Sequence, residues 1–344
     1  MNIDILCNDG SPLGVGSSSV YGDGFRIGVG GAELALLTMC ETWHGLGNRV
    51  RLYNNPDPRT GSEFEQFNIG EFEPKDDRDV LIIFRSPNPR AINSNGLKVW
   101  WSTDQFTRGD YAAFSKLVEK VVCISPFHQT YFEDVYGIKN TVAIDLPVRL
   151  QEYKEEIEKV EYRFIYTSVP NRGLQNLWRI WPMILEVIPY ASLVITSDYR
   201  LWGTTSPGND KDIADWLTRD NIKFLGGVSR ERLVKEQLEA EIHIYPCNYD
   251  ELFCISVAES QVAGVFPITT AQGALKTTNM GVYVDINAND PRQDKFFVSV
   301  VKDVVNDAAF ITDRNVLTKK AIERFNPLRI VQEWDKVFNE NSSS

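Results

Sequence analysis

Short apolar runs rich in β-branched residues alternate along the chain with longer stretches of helical periodicity. This alternation is typical of parallel α/β folding, in which a helix follows each strand and packs back onto the sheet. The strands predicted in the first half are Ile3–Cys7, Val50–Tyr53, Val80–Phe84, Lys98–Trp101, Val121–Ile124 and Val142–Ile144. The helices predicted there are Ala32–Leu46, Tyr111–Leu117 and Phe127–Tyr136.

The pattern breaks at Leu146-Pro147-Val148, and the charged stretch Glu152–Glu161 separates it from a second series. The strands of that series are predicted at Phe164–Thr167, Leu193–Thr196, Lys223–Leu225, Ile242–Tyr245, Phe266–Thr269 and Val282–Val284. Its helices are predicted at Leu174–Val187, Ile213–Leu217, Arg230–Ala240, Cys254–Ala263, Phe296–Val305, Asn315–Arg324 and Leu328–Asn339. The chain therefore divides into domains 1–149 and 150–325 and a closing segment, 326–344. Two doubly wound sheets place ligands beyond the carboxyl ends of their strands.

Composition narrows the range of functions. The 344 residues include 36 Lys and Arg and 47 Asp and Glu, and neither half is basic, which argues against broad nucleic-acid binding. The five cysteines form no CxxC pair and the three histidines have no ligand-like spacing, so neither a disulfide framework nor a structural metal is expected. No apolar run approaches the roughly 20 residues of a membrane span, and the start lacks signal-peptide features. A cytoplasmic location is the expectation.

The segment from Tyr245 to Gly264 carries the strongest chemical signal, in the order strand, loop and helix. At 100° per residue, Glu259 falls inside an apolar stripe, where a carboxylate needs hydrogen-bond donors such as sugar hydroxyls. Glu251 lies eight residues earlier. Eight helical residues span about 12 Å, which is comparable to the distance from a donor sugar to a nucleotide ribose across a diphosphate. The helix N-terminus between them suits that diphosphate. The spacing alone leaves an alternative open, in which Glu251 caps the helix and Glu259 pairs with a buried Arg or Lys.

This segment resembles the E-x7-E region of retaining glycosyltransferases that have two Rossmann-like domains facing a central cleft (the GT-B fold), in particular family 4. The resemblance extends over most of the chain and implies that Glu251 contacts the donor sugar and Glu259 the ribose. Family members often have Gly-Phe-Gly after the first Glu, where this chain has Leu252-Phe253-Cys254. The donor-binding residues implied in this segment are Glu251, Leu252, Phe253, Cys254, Ile255 and Glu259. The tail resembles a closing helix that crosses back to the first domain.

Two other parts of the second domain resemble the donor site of that family. Family members usually have an Arg and, a few residues on, a Lys-Gly to hold the diphosphate. Here Arg172-Gly173 matches the second position, and Ser168 stands near the first. Arginine can bind phosphate in a bidentate manner, whereas a merely structural arginine at a helix start would oppose the helix dipole. The loop Gly226-Gly227-Val228 is similar to the loop that contacts the nucleobase.

The first domain carries weaker candidates. Gly28-Val29-Gly30-Gly31-Ala32-Glu33 resembles the GG-x-E element of the family, which implies that Gly30 and Gly31 contact the donor and that Glu33 contacts the acceptor. A first-turn carboxylate that satisfies the helix dipole is an equal alternative for Glu33. Asp104 follows a strand where related enzymes often carry a His-Asp pair, and a turn or cap is its alternative role. Arg85 and Arg90 could bind an anionic acceptor. The alternative is that they are solvated surface arginines.

The resemblance implies retaining transfer of a hexosyl or pentosyl group from a nucleoside diphosphate sugar, with Glu251, Arg172 and Asp104 as catalytic residues. In this front-face mechanism the leaving diphosphate helps to deprotonate the acceptor hydroxyl. No metal or other cofactor is expected, because no Asp-x-Asp stands on a loop at a strand end. The acceptor stays open among a glycan, a lipid-linked sugar and a hydroxylated base in DNA. A nucleotide-sugar epimerase and a non-catalytic nucleotide-sugar-binding subunit are the other functions considered, and the oligomeric state is open.

Overall fold

The computed structural model describes residues 1–7, 29–54, 56, 61–202, 210–219 and 221–340. The chain forms two compact units. The first unit contains the described residues of 1–24, 31–147 and 325–344, and the second contains those of 148–324 together with Val29 and Gly30. Gly28 of the predicted glycine-rich element lies outside the described residues.

The described part of the first unit is built on a seven-stranded parallel sheet in the order β3-β2-β1-β4-β5-β6-β7. Its strands are β1 (Asn2–Leu6), β2 (Arg49–Tyr53), β3 (Glu65–Phe67), β4 (Val80–Phe84), β5 (Leu97–Trp101), β6 (Lys120–Cys123) and β7 (Thr141–Ala143). Its helices are α1 (Gly31–Gly45), α2 (Tyr111–Ser115), α3 (Pro126–Tyr136) and, from the end of the chain, α11 (Pro327–Glu340).

The described part of the second unit contains a six-stranded parallel sheet in the order β10-β9-β8-β11-β12-β13. Its strands are β8 (Arg163–Tyr166), β9 (Ser192–Ile195), β10 (Ile222–Phe224), β11 (Ile242–Tyr245), β12 (Phe266–Thr270) and β13 (Val282–Val284). Its helices are α4 (Leu174–Val187), α5 (Asp210–Leu217), α6 (Arg230–Glu239), α7 (Ile255–Val262), α8 (Leu275–Thr278), α9 (Asp294–Val305) and α10 (Phe310–Arg324).

In each sheet the first strand of the chain lies in the middle. The next two strands add to one side of it, and the remaining strands add to the other side. The strand order therefore reverses between β1 and β4 in the first unit and between β8 and β11 in the second. This arrangement confirms the predicted class of two doubly wound α/β domains. Loops that leave the two strands at a reversal diverge to opposite faces of the sheet and leave a crevice at the carboxyl ends, where ligands bind in such folds.

Several elements differ from the sequence-based assignment, and among them the four-residue helix α8 was not predicted. Strand β3 was not predicted, because its three residues are Glu, Gln and Phe at the edge of the sheet and show no apolar run. Helix α10 begins at Phe310 instead of Asn315, since its first turn packs an aromatic ring against Phe266. None of the described helices combines the length and the apolarity that a bilayer crossing requires.

The closing helix α11 is part of the core of the first unit. The Trp334 indole packs edge-on against Trp43 of α1, with ring centroids 5.5 Å apart, and against Trp101 at the end of β5, at 5.2 Å. All three rings are buried. Large aromatic rings in edge-to-face contact contribute substantially to a core, so α11 fixes α1 against the sheet.

Helix α7 of the second unit is held at its carboxyl end by Lys159, which lies in the charged stretch before β8. The Lys159 ammonium donates to the Ala263 carbonyl at 2.7 Å and to the Gln237 carbonyl at 3.4 Å. Burial and the neighbouring Arg314 guanidinium lower the pKa of Lys159 to about 7, and Glu241 opposes this shift. The cation therefore sits where the helix dipole favours positive charge but water is scarce.

We expect the lowered pKa of Lys159 to make stability depend on pH. Because the unfolded chain holds the proton up to the ordinary lysine pKa, the penalty of the buried cation is complete below pH 7 and is relieved as the pH rises above it. Relative to Lys159→Met, the free energy of unfolding of the wild type should rise by up to about 1.4 kcal/mol per pH unit between roughly pH 7 and 10. Urea denaturation of both proteins across this range measures the difference, and a constant difference would contradict the prediction.

Candidate functional site

Arg172 and Glu251 meet at the strand reversal of the second unit. Arg172 lies on the loop after β8 and Glu251 on the loop after β11, and Arg172 Nη1 donates to both Glu251 carboxylate oxygens at 3.0 and 2.9 Å. Burial alone would lower the pKa of Arg172, but Glu251 and neighbouring groups outweigh it and the pKa is raised. Its guanidinium also lies over the Tyr249 ring, 4.3 Å from the centroid. The two residues singled out independently from the sequence thus form one ion pair.

Two glycines allow these loops to approach so closely. A Cβ on Gly173, which has φ +127°, would lie 2.5 Å from the Pro246 carbonyl oxygen in the loop after β11. A Cβ on Gly273, which has φ +55°, would lie 2.4 Å from the carbonyl oxygen of Glu251. Any other residue at either position would push the backbone of the Glu251 loop away, because neither contact can yield without moving main chain.

A hydrogen-bonded row of hydroxyl groups continues from Glu251. The Tyr245 hydroxyl, at the end of β11, donates to Glu251 Oε1 at 2.6 Å, and it lies 3.1 Å from Ser168 Oγ. Ser197 Oγ in turn donates to the Ser168 carbonyl at 2.5 Å. Burial, together with the charge of Glu251, raises the pKa of Tyr245 well above its ordinary value, so the hydroxyl keeps its proton and remains a donor. Tyr245 and Ser197 were not singled out from the sequence.

The start of helix α7 has an unusual backbone at Cys254. Cys254 precedes the helix with φ 73° and ψ 75°, a left-handed conformation that non-glycine residues rarely adopt. This is the position where the resembling family often has its second glycine, and the predicted helix start at Cys254 is therefore one residue early. Leu252, Phe253 and Cys254 are buried, whereas Ile255, at the start of the first turn, is half-buried. No side chain caps the helix N-terminus.

Glu259 is buried and forms an ion pair with a buried arginine. Its carboxylate lies 2.7 Å from Arg230 at the start of α6, and Arg230 also contacts Glu152 at 2.6 Å. Burial raises the pKa of Glu259, and the Arg230 guanidinium partly offsets that shift. This is the ion pair with a buried arginine that the spacing left open as the alternative for Glu259. The single apolar stripe predicted for α7 is wrong, because Val257 through Val262 are all buried.

The loop Gly226–Val228, assigned by resemblance to the nucleobase, is held by Asp198. The Asp198 carboxylate, fully buried at the end of the turn after β9, accepts from the Gly227 backbone N–H at 3.1 Å. It also accepts from the Arg200 guanidinium at 2.5 Å, and Gly226 adopts φ +65°. Burial raises the pKa of Asp198, but the Arg200 and Gly227 donors outweigh it and the pKa is lowered. Sequence reasoning missed Asp198, although a polar residue shortly after a strand was the signal that selected Asp104.

In the first unit, three of the four acceptor candidates come together. Arg85 follows β4 and donates to Glu33 of α1 at 2.7 Å and to Asp104, after β5, at 2.6 Å. Arg85 adopts φ 67°, and its carbonyl accepts from the Trp100 indole N–H at 3.0 Å. The solvated surface arginine considered for Arg85 is therefore wrong, and Asp104 is an ion-pair partner. Arg90 lies apart, because its guanidinium donates to the carbonyls of Ile69 and Phe72.

The two glycines that the resemblance implies for donor binding, Gly30 and Gly31, lie at the start of helix α1. Gly31 is the first residue of α1, and Gly30 immediately precedes it. Among the residues that the structure describes, no group of three or more His, Cys, Asp or Glu side chains is placed to hold a metal ion. The expectation of metal-independent activity stays a prediction.

Part of the second unit matches a known protein family. The model of the family described as glycosyl transferases group 1 matches residues 170–321, which contain Arg172, Glu251 and Glu259. No curated protein sequence matches the chain. Among solved structures, sucrose-phosphate synthase from Thermosynechococcus elongatus is similar with a TM-score of 0.70 and 15% identity over 100% of this chain and 99% of that one.

Two further solved structures are similar over nearly their whole length. HepE from Anabaena, solved in complex with UDP and glucose, has a TM-score of 0.66 and 13% identity, covering 99% of this chain and 100% of that one. AviGT4, a glycosyltransferase involved in avilamycin A biosynthesis, has a TM-score of 0.64 and 15% identity, covering 98% and 97%. At these identities the likeness shows the fold. The chain has the GT-B fold, and residues 170–321 match the model of the family described as glycosyl transferases group 1.

The left-handed conformation of Cys254 predicts an inverted order of two small substitutions. Glycine adopts this conformation without penalty, whereas alanine keeps a strain of about 1 kcal/mol. Cys254→Gly should therefore have a free energy of unfolding about 1 kcal/mol higher than Cys254→Ala. Ser256, inside the first turn of α7, is the matched control, where alanine should be the more stable by about 1 kcal/mol. Denaturant unfolding of the four variants measures both differences, and the same order at both positions would argue against the strained cap.

Proposed function

We propose that this chain is a retaining glycosyltransferase that moves a sugar from a nucleoside diphosphate sugar to a hydroxyl group of an uncharged acceptor, without a metal ion. The observation that carries the proposal is the Arg172–Glu251 ion pair at the strand reversal of the group 1 domain. A cation beside a buried carboxylate at that edge suits a ligand that joins a diphosphate to a polyhydroxylated ring.

Each partner has a distinct role in this proposal. Arg172 binds the β-phosphate, since a planar guanidinium has several N–H donors and can contact a phosphate while it contacts Glu251. The backbone N–H groups at the start of α7 add a positive dipole end for the same diphosphate. Glu251 accepts hydrogen bonds from the sugar hydroxyls and orients the ring. These contacts aim positive charge at the leaving group and negative charge at the sugar that becomes cationic.

The bond changes follow from this arrangement. The bond between the anomeric carbon and the diphosphate oxygen breaks, and its electron pair stays with the diphosphate, where Arg172 stabilises the added charge. The acceptor hydroxyl attacks the anomeric carbon from the face that the diphosphate leaves, and its proton passes to a diphosphate oxygen. The new bond has the configuration of the old one, so transfer proceeds with retention.

The nucleoside half of the donor is proposed to bind at Gly226–Val228 and near Glu259. Asp198 fixes the Gly227 amide and thereby the shape of that loop. Glu259 is paired with Arg230, which directly follows the N-cap of α6 and thus stands close in sequence to the same loop. In this proposal the carboxylate holds Arg230 and also reaches the ribose hydroxyls, as the resemblance implies.

An uncharged acceptor fits the first unit better than DNA. The two arginines that would attract phosphates are already engaged, because Arg85 is bound by two carboxylates and Arg90 donates to two backbone carbonyls. Glu33 and Asp104 outnumber Arg85, so the cluster carries a net negative charge, and a phosphate brought to it would be repelled. Acceptor hydroxyls, in contrast, can donate hydrogen bonds to the carboxylates of Glu33 and Asp104.

The proposal is tested first by donor binding and then by turnover. Thermal shift with UDP-, GDP- and ADP-sugars identifies the donor, and UDP-glucose is the natural first choice because HepE was solved with UDP and glucose. Release of nucleoside diphosphate then reports hydrolysis or transfer, and NMR of the product reports the anomeric configuration. A changed sugar still attached to its nucleotide would indicate an epimerase, binding without turnover a non-catalytic subunit, and inverted products would contradict retention.

Substitution of the two glutamates should separate their roles. Glu251→Gln removes a charge that matters most in the transition state, so kcat should fall by about 10- to 100-fold with a smaller change in the donor KM. Glu259→Gln should mainly raise the donor KM, because a ribose contact is equal in ground and transition states. It should also lower thermal stability, since the buried Arg230 loses one of its two carboxylate partners. Steady-state kinetics and melting temperatures decide, and normal kinetics with lowered stability in both variants would make the carboxylates structural.

Chelation provides an independent test. Because Arg172 and the start of α7 supply the positive charge for the diphosphate, activity should persist in excess EDTA after exhaustive dialysis. Addition of Mg²⁺ or Mn²⁺ should change the rate by less than about twofold, a shift too small to reflect a catalytic ion. Inactivation by EDTA that either metal restores would contradict the metal-independent mechanism.

A further inference from the structure

The Glu251 carboxylate is held by two donors of different kinds. One donor is the guanidinium of Arg172, whose side chain is 25% exposed. The other is the hydroxyl of Tyr245, a residue that is fully buried. In the proposed reaction the diphosphate also draws on Arg172. Because Tyr245 is buried, substrate does not compete for its hydrogen bond to Glu251. This bond therefore stays the same whether or not the donor is bound.

The Tyr245 hydroxyl is held in place by a second hydrogen bond, with Ser168. A hydroxyl has a single hydrogen, and Tyr245 gives its hydrogen to Glu251 Oε1 at 2.6 Å, so the 3.1 Å contact with Ser168 requires Ser168 Oγ to be the donor. Ser168 lies on the loop after β8, and its carbonyl is bound by Ser197 on the loop after β9. The row from Ser168 through Tyr245 to Glu251 therefore links the loops of β8 and β11 across the strand reversal.

The length and burial of this bond make it strong. An O–H donor to a carboxylate at 2.6 Å is in the range of charge-assisted hydrogen bonds, and both partners are buried. The tyrosine ring is fixed against Tyr166, with centroids 5.7 Å apart, so the hydroxyl has little freedom to move away. A carboxylate oxygen that is anchored in this way presents its remaining lone pairs in a fixed direction.

We propose that Tyr245 is a positioning residue for the transfer reaction, which keeps the Glu251 carboxylate oriented toward the donor sugar through its 2.6 Å hydrogen bond. The proposal rests on the proposed function, because it gives Glu251 a role on the sugar. It predicts that loss of the tyrosine hydroxyl lowers kcat more than it raises the donor KM, since the misaligned carboxylate matters most as the sugar becomes cationic.

The chain offers a closely matched control in Tyr166. Tyr166 is also a fully buried tyrosine at the end of a neighbouring strand, its hydroxyl makes one buried hydrogen bond of 3.0 Å, and burial likewise raises its pKa well above the ordinary value. Its partner, however, is the carbonyl of Val169 and not Glu251. Tyr166→Phe removes one hydrogen bond of a buried hydroxyl, whereas Tyr245→Phe removes two, so Tyr245→Phe should lower the melting temperature at least as much as Tyr166→Phe.

The experiment compares Tyr245→Phe, Tyr166→Phe, Glu251→Gln and the double variant Tyr245→Phe/Glu251→Gln in steady-state turnover of the donor. We expect Tyr245→Phe to lower kcat by about tenfold or more, as a charge-assisted bond is lost, and Tyr166→Phe to stay within about twofold of wild type. In the Glu251→Gln background, the further loss caused by Tyr245→Phe should shrink to less than about twofold, because residues that act as a unit are not additive. Ser168→Ala, on a half-buried side chain, should lower kcat by less than Tyr245→Phe and serves if that variant does not fold.

The outcomes separate the inference from the function on which it rests. Wild-type kcat in Tyr245→Phe, together with a strong effect of Glu251→Gln, would overturn the positioning role and leave the proposed function standing. The same holds if the effects of Tyr245→Phe and Glu251→Gln multiply in the double variant. Wild-type kcat in Glu251→Gln would remove the proposed function of Glu251 itself, and the role of Tyr245 with it.

Discussion

The candidate site of the second unit depends on the reversal of strand order between β8 and β11. Because the chain leaves these neighbouring strands in opposite directions, their loops open a crevice at the carboxyl edge. Gly173 and Gly273 then let the loop backbones approach to distances that a Cβ would forbid. Arg172 and Glu251, which are 79 residues apart in sequence, meet only because of this topology. The ion pair, the tyrosine behind it and the start of α7 all follow from that one constraint.

Buried ion pairs strongly affect the stability of the second unit. Arg149, Glu152, Arg230 and Glu259 form a row in which every carboxylate lies between or beside guanidinium groups. Such a row is costly to desolvate, and it persists only when each charge has its partner. The loss of one member leaves a buried charge with less compensation, so a substitution of Glu259 should act on stability whatever its effect on ligand binding.

The sequence predicted the fold more completely than the site, and particular residues show why. The strands β1, β4, β8 and β11 are buried apolar runs. Such runs are visible in consecutive residues of the sequence, so they can be predicted without knowledge of the fold. Glu251 was found from its eight-residue spacing to Glu259, and Arg172 from the resemblance of Arg172-Gly173 to a family motif, and both signals are also local. Tyr245 was missed because its role depends on a contact made through folding, and as the last residue of an apolar strand it is indistinguishable from a core tyrosine. Arg85 was misjudged for the same reason, since its two carboxylate partners lie 52 and 19 residues away.

The two units place arginine and carboxylate at equivalent positions of the same topology, but in opposite order. In the second unit the arginine follows the first strand of the sheet, β8, and the carboxylate follows β11; in the first unit Glu33 lies on the helix after β1, and Arg85 follows β4. The balance differs as well, because within the described parts of the chain Arg172 is paired with Glu251, whereas Arg85 is paired with both Glu33 and Asp104. An anion can therefore be accommodated beside Arg172 at a modest cost, since the guanidinium is the half-buried partner of that pair. Beside Arg85 the same anion would meet an excess of negative charge. The charge pattern thus supports the proposal that the diphosphate binds in the second unit and that acceptor hydroxyl groups bind in the first.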